Sequence, residues 1–169
     1  PIAKKLKIPI IGQYDLMDHW SQTEGVETIG FNKGGTISIG ELKITMVHAV
    51  HSSTMTSTSG PSCVGSECGF IISGENHTIY LSGDTDVMAD MQIFNDLHSP
   101  DIGILAAGGH FTMDMKRAGY AAAKFFNFKT IVPCHYKTFP ILEQSAKELA
   151  KAVPGVQVIE PEVLTPIVI

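Results

Sequence analysis

The sequence predicts a single α/β domain over residues 1–169, in which helices cover a mostly β core. Three observations predict this class. The chain is 169 residues long, which is about the size of one domain. Its composition, 44% hydrophobic and 17% charged, is that of ordinary globular proteins. Short apolar runs typical of strands alternate with helical patterns through the second half of the chain.

The first half predicts a short helix, a strand and a second helix, followed by a β-hairpin. The helices are "IAKKLK" and "DLMDHWSQ", with the apolar strand "IPIIG" between them. Residues 34–50 alternate apolar and polar side chains around Gly40 and Glu41, which is the pattern of a hairpin. Residues 52–66 are rich in Ser, Thr, Gly and Pro, so we expect one long exposed loop, and loops of this length are more often functional than not.

The second half predicts alternating strands and helices. Its expected strands are "CGFIIS", "HTIYLS", "DIGILAA", "TIVPCH", "VQVIE" and "LTPIVI". Its expected helices cover residues 87–98, 113–127 and 143–152. Thr112 is the expected N-cap of the second of these helices, because a hydroxyl there can accept from a free backbone N–H.

Charge and cysteine content exclude some classes of function. The net charge of −5 argues against a nuclease or another nucleic-acid-binding protein, which would carry a basic surface. No apolar run approaches the roughly 20 residues of a membrane span. Cys63, Cys68 and Cys134 are few and odd in number, which fits a reducing compartment and predicts a cytoplasmic protein.

Four apolar runs each end at a side chain that can bind a metal. These side chains are His51, Asp84, His110 and His135. Because functional groups in sheet proteins gather where strands end, we expect the four to lie close together. Imidazoles and a carboxylate form a site suited to Zn²⁺, Mn²⁺ or Fe²⁺. Gly83 leaves space beside Asp84.

Each of these residues also has a structural interpretation. A single histidine at a strand end is usually a surface residue or one that forms structural hydrogen bonds. An aspartate after a glycine, as at Asp84, commonly forms a turn or caps a helix. His48 lies three residues before His51, on the opposite face of an alternating strand, so we assign it a structural role or a role in supporting a metal ligand.

Four stretches resemble the metallo-β-lactamase superfamily, in its branch of small metal-dependent hydrolases similar to the ascorbate-6-phosphate lactonase-like proteins: "HAVHSS", "GFIISGENHTIYLSGDTD", "GGHFTM" and "CHYKTFP". The resemblance implies a four-layer αββα sandwich, of which this chain would form the C-terminal half and part of the N-terminal half. It also implies two divalent metal ions, zinc first, with manganese or iron as alternatives. The implied metal ligands are His51, Asp84 and His135, with Asp84 between the two ions.

The resemblance implies that the protein is a hydrolase. A metal-bound hydroxide would attack an ester, lactone or phosphoester bond of a small-molecule substrate. Asp84 and His110 would be the catalytic residues, and His110, Tyr136 and Thr138 would contact the substrate. The alternative is a catalytically inert protein of the same fold that serves in binding or regulation.

One motif of the superfamily, His-x-His-x-Asp-His, is absent from residues 1–169. We therefore expect a single domain that is incomplete at its N-terminus. The remaining metal ligands would come from a missing N-terminal segment of the same polypeptide or from a companion chain, and a homo-oligomer is left open. An inert relative would show the same absence only if Pro1 lies close to the true N-terminus, and the retained His51, Asp84, His110 and His135 argue against it.

Overall fold

A computed structural model describes residues 2–57 and 60–169, so residues 1, 58 and 59 of the expected domain and loop lie outside the described residues. The helices are α1 (Ile2–Leu6), α2 (Tyr14–Glu24), α3 (Asp90–His98), α4 (Met115–Phe125) and α5 (Lys147–Ala152). The strands are β1 (Ile10–Gln13), β2 (Thr28–Phe31), β3 (Thr36–Ile39), β4 (Leu42–His48), β5 (Thr54–Ser57), β6 (Gly60–Cys63), β7 (Cys68–Gly74), β8 (His77–Leu81), β9 (Ile102–Ala106), β10 (Thr130–Cys134) and β11 (Gln157–Val158).

A seven-stranded mixed sheet in the order β11-β10-β9-β8-β7-β4-β3 forms the centre of the fold. Strands β3, β4, β7 and β8 pair antiparallel, whereas β8, β9, β10 and β11 pair parallel. Strand β7 joins β8 through a tight turn at Glu75 and Asn76, whose φ angles of 51° and 67° suit a two-residue hairpin. Because β4 and β8 both run opposite to β7, and β9 and β10 run parallel to β8, these four strands have their carboxyl ends on the same side of the sheet. This row of strand ends forms one edge of the sheet.

Helices α3, α4 and α5 cover one face of this sheet, whereas α2 packs on the separate two-stranded sheet of β1 and β2. In α4, the buried residues Met115, Ala118, Gly119 and Ala122 recur at the spacing of one helical face. Beneath the helices, the fully buried Tyr80 of β8 stacks on a phenylalanine after α4 with 5.1 Å between ring centroids. Within the described ranges, no helix is long and apolar enough to cross a lipid bilayer.

The other face of the sheet is also apolar but is only half-buried. Five aliphatic and aromatic side chains show this partial exposure on neighbouring strands: Ile44, Phe70, Ile72, Ile79 and Leu81. They are aligned by register, since Ile44 faces Ile72 and Ile72 faces Ile79. Apolar patches of this kind mark surfaces that bind another layer. The complete four-layer arrangement stays a prediction.

The expected loop at residues 52–66 and the expected strand at residues 164–169 were both wrong. Residues 52–66 are not one loop, because β5 and β6 pair antiparallel, with Thr54 opposite Cys63. The apolar stretch at residues 164–169 forms no strand, and Leu164 and Val168 are almost fully exposed. Apolar residues form a strand only where a neighbouring strand offers hydrogen bonds, and here none is paired with them.

The helix boundaries also differ from expectation. The N-cap of α4 is Asp114, whose carboxylate accepts a 2.6 Å hydrogen bond from the backbone N–H of Arg117. The Thr112 hydroxyl instead accepts from the backbone N–H of Gly108. The expected helix at 143–152 begins only at Lys147, and the strand Thr28–Phe31 was not expected.

Asp101 connects the amino ends of the parallel strands, at the edge opposite His51 and Asp84. Its carboxylate accepts a 2.9 Å hydrogen bond from the Thr78 backbone N–H and lies 2.8 Å from His77 Nδ1. Lys129 Nζ lies 3.8 Å away. Burial by itself would raise the pKa of Asp101, but the hydrogen bonds from Thr78 and His77 outweigh burial, so the pKa lies below its ordinary value of 3.8.

We expect Asp101→Ala to lower the free energy of unfolding by about 2 kcal/mol near neutral pH, since it removes a partly buried carboxylate and leaves its donors unpaired. A carboxylate with a lowered pKa stabilises the fold above its ordinary pKa and loses that effect as the pH falls through the folded value. The difference between variant and wild type should therefore shrink below pH 3.8. Urea unfolding across this range measures it.

The control is Asp96→Ala, which removes an exposed carboxylate of α3 that accepts from Gln92. Its effect should stay within about 0.5 kcal/mol at every pH. Equal losses from the two substitutions would contradict the role given to Asp101.

Candidate metal centre

Asp84 and His135 meet at the shared edge of the sheet. Asp84 follows β8, His135 follows β10, and β9 lies between these strands. The distance from Asp84 Oδ2 to His135 Nε2 is 3.6 Å. The Asp84 side chain is 47% exposed and that of His135 is 31% exposed, so a solute can reach both groups.

Two glycines permit this approach of the chain. Gly83 has a φ of 62°, and a Cβ there would collide with the carbonyl oxygen of Cys68. This is the physical reason for the glycine before Asp84. A Cβ at Gly108 would collide with the carbonyl oxygen of His135, so the loop after β9 can lie against β10 only without a side chain.

The spacing of Asp84 and His135 fits a divalent cation. Zinc binds nitrogen and oxygen at about 2.0–2.2 Å, so two ligand atoms at a tetrahedral angle stand about 3.3–3.6 Å apart. The observed 3.6 Å agrees with this and exceeds a normal hydrogen bond. The buried His135 Nδ1 has no hydrogen-bond partner among the described protein atoms. Most metal-binding histidines do have such a partner.

His51 lies at the same edge but is bonded to the backbone. Its Nε2 is 2.9 Å from the carbonyl oxygen of Phe111, and its Nδ1 is 3.0 Å from that of Ser52. Both contacts are hydrogen bonds only when both nitrogens carry protons. The Ser52 carbonyl raises the pKa of His51, partial burial opposes this, and the Phe111 carbonyl and Asp84 add to the increase.

The structure thus brings together two of the three expected ligands. Across residues 2–57 and 60–169, no three His, Cys, Asp or Glu side chains form a group that could hold a metal ion. In the arrangement described, both His51 nitrogens are committed to carbonyl oxygens. The three-ligand set His51, Asp84 and His135 stays a prediction.

His110 is exposed and borders two cavities. One, of about 230 Å³, is also lined by His51, Phe111 and Arg117. The other, of about 430 Å³, extends from His110 toward Glu143. The ring of Phe111 stands edge-on to the His110 ring, with 4.6 Å between their centroids. His110 is therefore accessible to a small molecule in either cavity.

The two remaining expected substrate contacts differ in exposure. Tyr136 is only 7% exposed, and its hydroxyl donates to Glu160 Oε2 at 3.1 Å. Burial, together with Glu160, raises the pKa of the Tyr136 hydroxyl. Thr138 is exposed. Both residues stay predictions, with Thr138 open to solvent and Tyr136 bound to a protein group.

Sequence reasoning missed the residue that joins the loops of this edge. The hydroxyl of Thr85, which is fully buried, accepts from the Val50 N–H and donates to the Asp86 carbonyl. The Thr85 carbonyl accepts from the Met113 N–H. The Thr85 hydroxyl therefore connects the loops after β4 and β8. No local sequence signal shows this, because its partners are remote in sequence.

Sequence reasoning also missed two ion pairs beside the site. Arg117 and Asp86 form a two-point contact, with Nε–Oδ1 at 3.0 Å and Nη2–Oδ2 at 3.1 Å. Lys137 Nζ lies 2.6 Å from Glu160 Oε2. The only available signal was the charge of Asp86 and Lys137, each two residues after an expected ligand.

Comparisons with known proteins identify the family of this chain. Residues 3–136 match the model of the beta-lactamase superfamily domain. A UPF0173 metal-dependent hydrolase of Dinoroseobacter shibae is 62% identical over 163 residues, which cover 96% of this chain and 71% of that protein.

Two solved structures share the fold. Igni18, a metallo hydrolase from the archaeon Ignicoccus hospitalis, is 28% identical, with a TM-score of 0.80 over 95% of this chain and 68% of its own. The metallo-beta-lactamase fold protein YhfI from Bacillus subtilis is 16% identical, with a TM-score of 0.68 over 94% of this chain and 66% of its own. The metallo-β-lactamase fold expected from the sequence is confirmed. The chain belongs to the UPF0173 metal-dependent hydrolases of the beta-lactamase superfamily.

Proposed function

We propose that this protein uses two divalent metal ions, zinc before manganese or iron, to hydrolyse an ester, lactone or phosphoester bond of a small molecule. The observation that carries the proposal is the pair Asp84 and His135, whose ligand atoms lie 3.6 Å apart at the edge where strands end. The name of the D. shibae relative supports metal-dependent hydrolysis. The class of bond is our proposal and rests on the resemblance of the site sequence.

Asp84, His135 and His51 would hold the metal ions, with Asp84 between them. His51 takes part only after it leaves the carbonyl groups of Ser52 and Phe111. A bound cation of this kind lowers the pKa of a coordinated water toward neutrality and polarises a substrate oxygen. Asp84, which follows the turn at Gly83, would hold the ions in place beside the substrate.

His110 would contact the substrate and give a proton to the leaving group. Its exposure and its place between two cavities support this role. Thr138 would bind a polar group of the substrate at the open rim. Tyr136 could do so only after its hydroxyl releases Glu160. The larger cavity, of about 430 Å³, has the size of a small-molecule site, which is about 300 Å³ or more.

Further metal ligands would come from outside residues 1–169. A structural or catalytic zinc ion takes at least three protein ligands, and the described residues bring two together. We propose that an N-terminal segment of the same polypeptide or a companion chain supplies the rest, within one domain that includes residues 1–169. A homo-oligomer is a further arrangement that could complete the site. We propose a cytoplasmic location, because the three cysteines are free thiols, as in a reducing compartment.

One observation favours the inert alternative, in which the fold serves binding or regulation. Both nitrogens of His51 are bonded to carbonyl oxygens, as in a histidine with a purely structural role. Zinc titration of the full-length polypeptide, which includes any ligands outside residues 1–169, separates the two functions. Binding near two ions per chain supports the hydrolase, and no binding supports the inert protein.

We expect Asp84→Asn to lose bound zinc and to lower kcat/KM by more than about 100-fold. Removing a group that only supports a metal ligand already costs up to about 100-fold, and Asp84 is itself a proposed ligand. The amide lacks the charge that holds a cation, while the fold should persist because the side chain is exposed. Metal analysis and hydrolysis of an ester, lactone and phosphoester panel measure both effects.

The matched control is Asp90→Asn. Asp90 is also 47% exposed and also faces an imidazole, that of His48, at 3.0 Å. It should keep zinc content and activity at wild-type values. Full activity in Asp84→Asn, or an equal loss in both variants, would contradict the role of Asp84.

We expect His110→Gln to lower kcat by about 10²- to 10⁴-fold on poor leaving groups while zinc content stays unchanged, because the residue donates a proton and holds no metal. An alkyl ester should suffer more than a nitrophenyl ester, whose phenolate leaves without a proton. The control His48→Gln removes another exposed imidazole and should leave both rates unchanged. An equal loss on the two esters would refute proton donation.

A further inference from the structure

Two ion pairs involve residues that follow the proposed ligands Asp84 and His135 closely in sequence. Two residues after Asp84, Asp86 binds Arg117, and two residues after His135, Lys137 binds Glu160. Neither partner belongs to the strand that carries the ligand. Arg117 lies in the first turn of α4, and Glu160 follows β11. Each ligand loop is therefore tied to an element that arrives from elsewhere in the chain.

The first pair fixes the loop after β8 in distance and in angle. Arg117 holds both carboxylate oxygens of Asp86 at 3.0 and 3.1 Å, and such a two-point contact is more directional than a single one. Asp86 Oδ1 also accepts from the Val87 N–H at 2.7 Å. The Asp86 N–H donates to the Val50 carbonyl at 3.0 Å. The backbone beside Asp84 thus has little freedom to move.

The second pair supports an unusual turn. His135 and Lys137 have φ angles of 60° and 65°, a left-handed conformation that costs a residue with a side chain about 1–2 kcal/mol. Such a turn persists where neighbouring contacts hold it. Glu160 Oε2 accepts from Lys137 Nζ at 2.6 Å and from the Tyr136 hydroxyl at 3.1 Å. The ammonium group of Lys137 also lies 5.1 Å from the centre of the Tyr136 ring.

We infer that Asp86–Arg117 and Lys137–Glu160 are positioning pairs that set the spacing of Asp84 and His135 for a metal ion. This inference rests on the proposed function. Both pairs are substantially exposed, and exposed ion pairs contribute little to stability. Removing them should therefore change the binding of a metal much more than it changes the stability of the fold.

The test is zinc affinity in Arg117→Gln and Lys137→Gln, measured by calorimetric titration of the full-length polypeptide, which includes the ligands proposed to lie outside residues 1–169. Each variant should bind zinc about 10- to 100-fold more weakly, the usual effect of losing a group that orients a ligand. The visible absorption of bound Co²⁺ should also shift, because it reports the ligand geometry. Lys137→Arg keeps a cation that can reach Glu160 and should restore affinity.

Two controls separate positioning from stability. Lys151→Gln breaks the exposed ion pair with Glu148 on α5, whose atoms are also 2.6 Å apart, and should leave zinc affinity unchanged. Asp101→Ala weakens the opposite edge of the sheet and should keep zinc affinity despite a larger loss of stability. If Arg117→Gln does not fold, Glu160→Gln and Lys137→Gln carry the same test for the second pair.

The outcomes are distinct. Wild-type zinc affinity and an unchanged cobalt spectrum in the Arg117 and Lys137 variants would overturn the inference and leave the proposed function standing. An affinity loss that follows stability, so that Asp101→Ala weakens zinc as much, would also overturn it. If the wild-type protein binds no zinc, the proposed function fails and this inference fails with it.

Discussion

The direction of four strands is the constraint on which the rest of this structure depends. Strands β4, β8, β9 and β10 all end at one edge, and in open sheets of this kind that edge is where ligands bind. Asp84 and His135 come from strands on either side of β9 and can approach each other because Gly108 carries no side chain. The buried hydroxyl of Thr85 then joins the loops after β4 and β8. The direction of the strands therefore determines which side chains can meet at the site.

Much of the sheet was predictable because its signals are local. The apolar runs of β7, β8, β9 and β10 and the turn at Glu75 and Asn76 can be identified within a few residues. The strand Thr28–Phe31 was missed because it contains a glycine and pairs with remote β1. The polar strands Thr54–Ser57 and Gly60–Cys63 carry no apolar pattern. At Leu164 the error was the reverse, since an apolar run alone does not provide a partner strand.

The candidate site was predictable only in part for the same reason. The meeting of Asp84 and His135 follows from strand ends, which the sequence marks clearly. The contact of His51 with the Phe111 carbonyl joins residues that are 60 positions apart, and no local pattern encodes it. The choice of Asp114 over Thr112 as N-cap depends on where α4 begins, and a shift of two residues changes it.

The tight β7–β8 hairpin and the parallel half of the sheet differ in the sequence separation of their contacts. Gly74 and His77 pair across a two-residue turn, whereas β8 and β9 pair only after a helical crossover. Closing long loops costs entropy before contacts compensate for it, so local hairpins form readily and parallel strands form slowly. We expect the hairpin to be an early folding unit and the edge that carries Asp84 and His135 to assemble late. A nascent or partly unfolded chain would then keep its hairpin yet have no affinity for a cation.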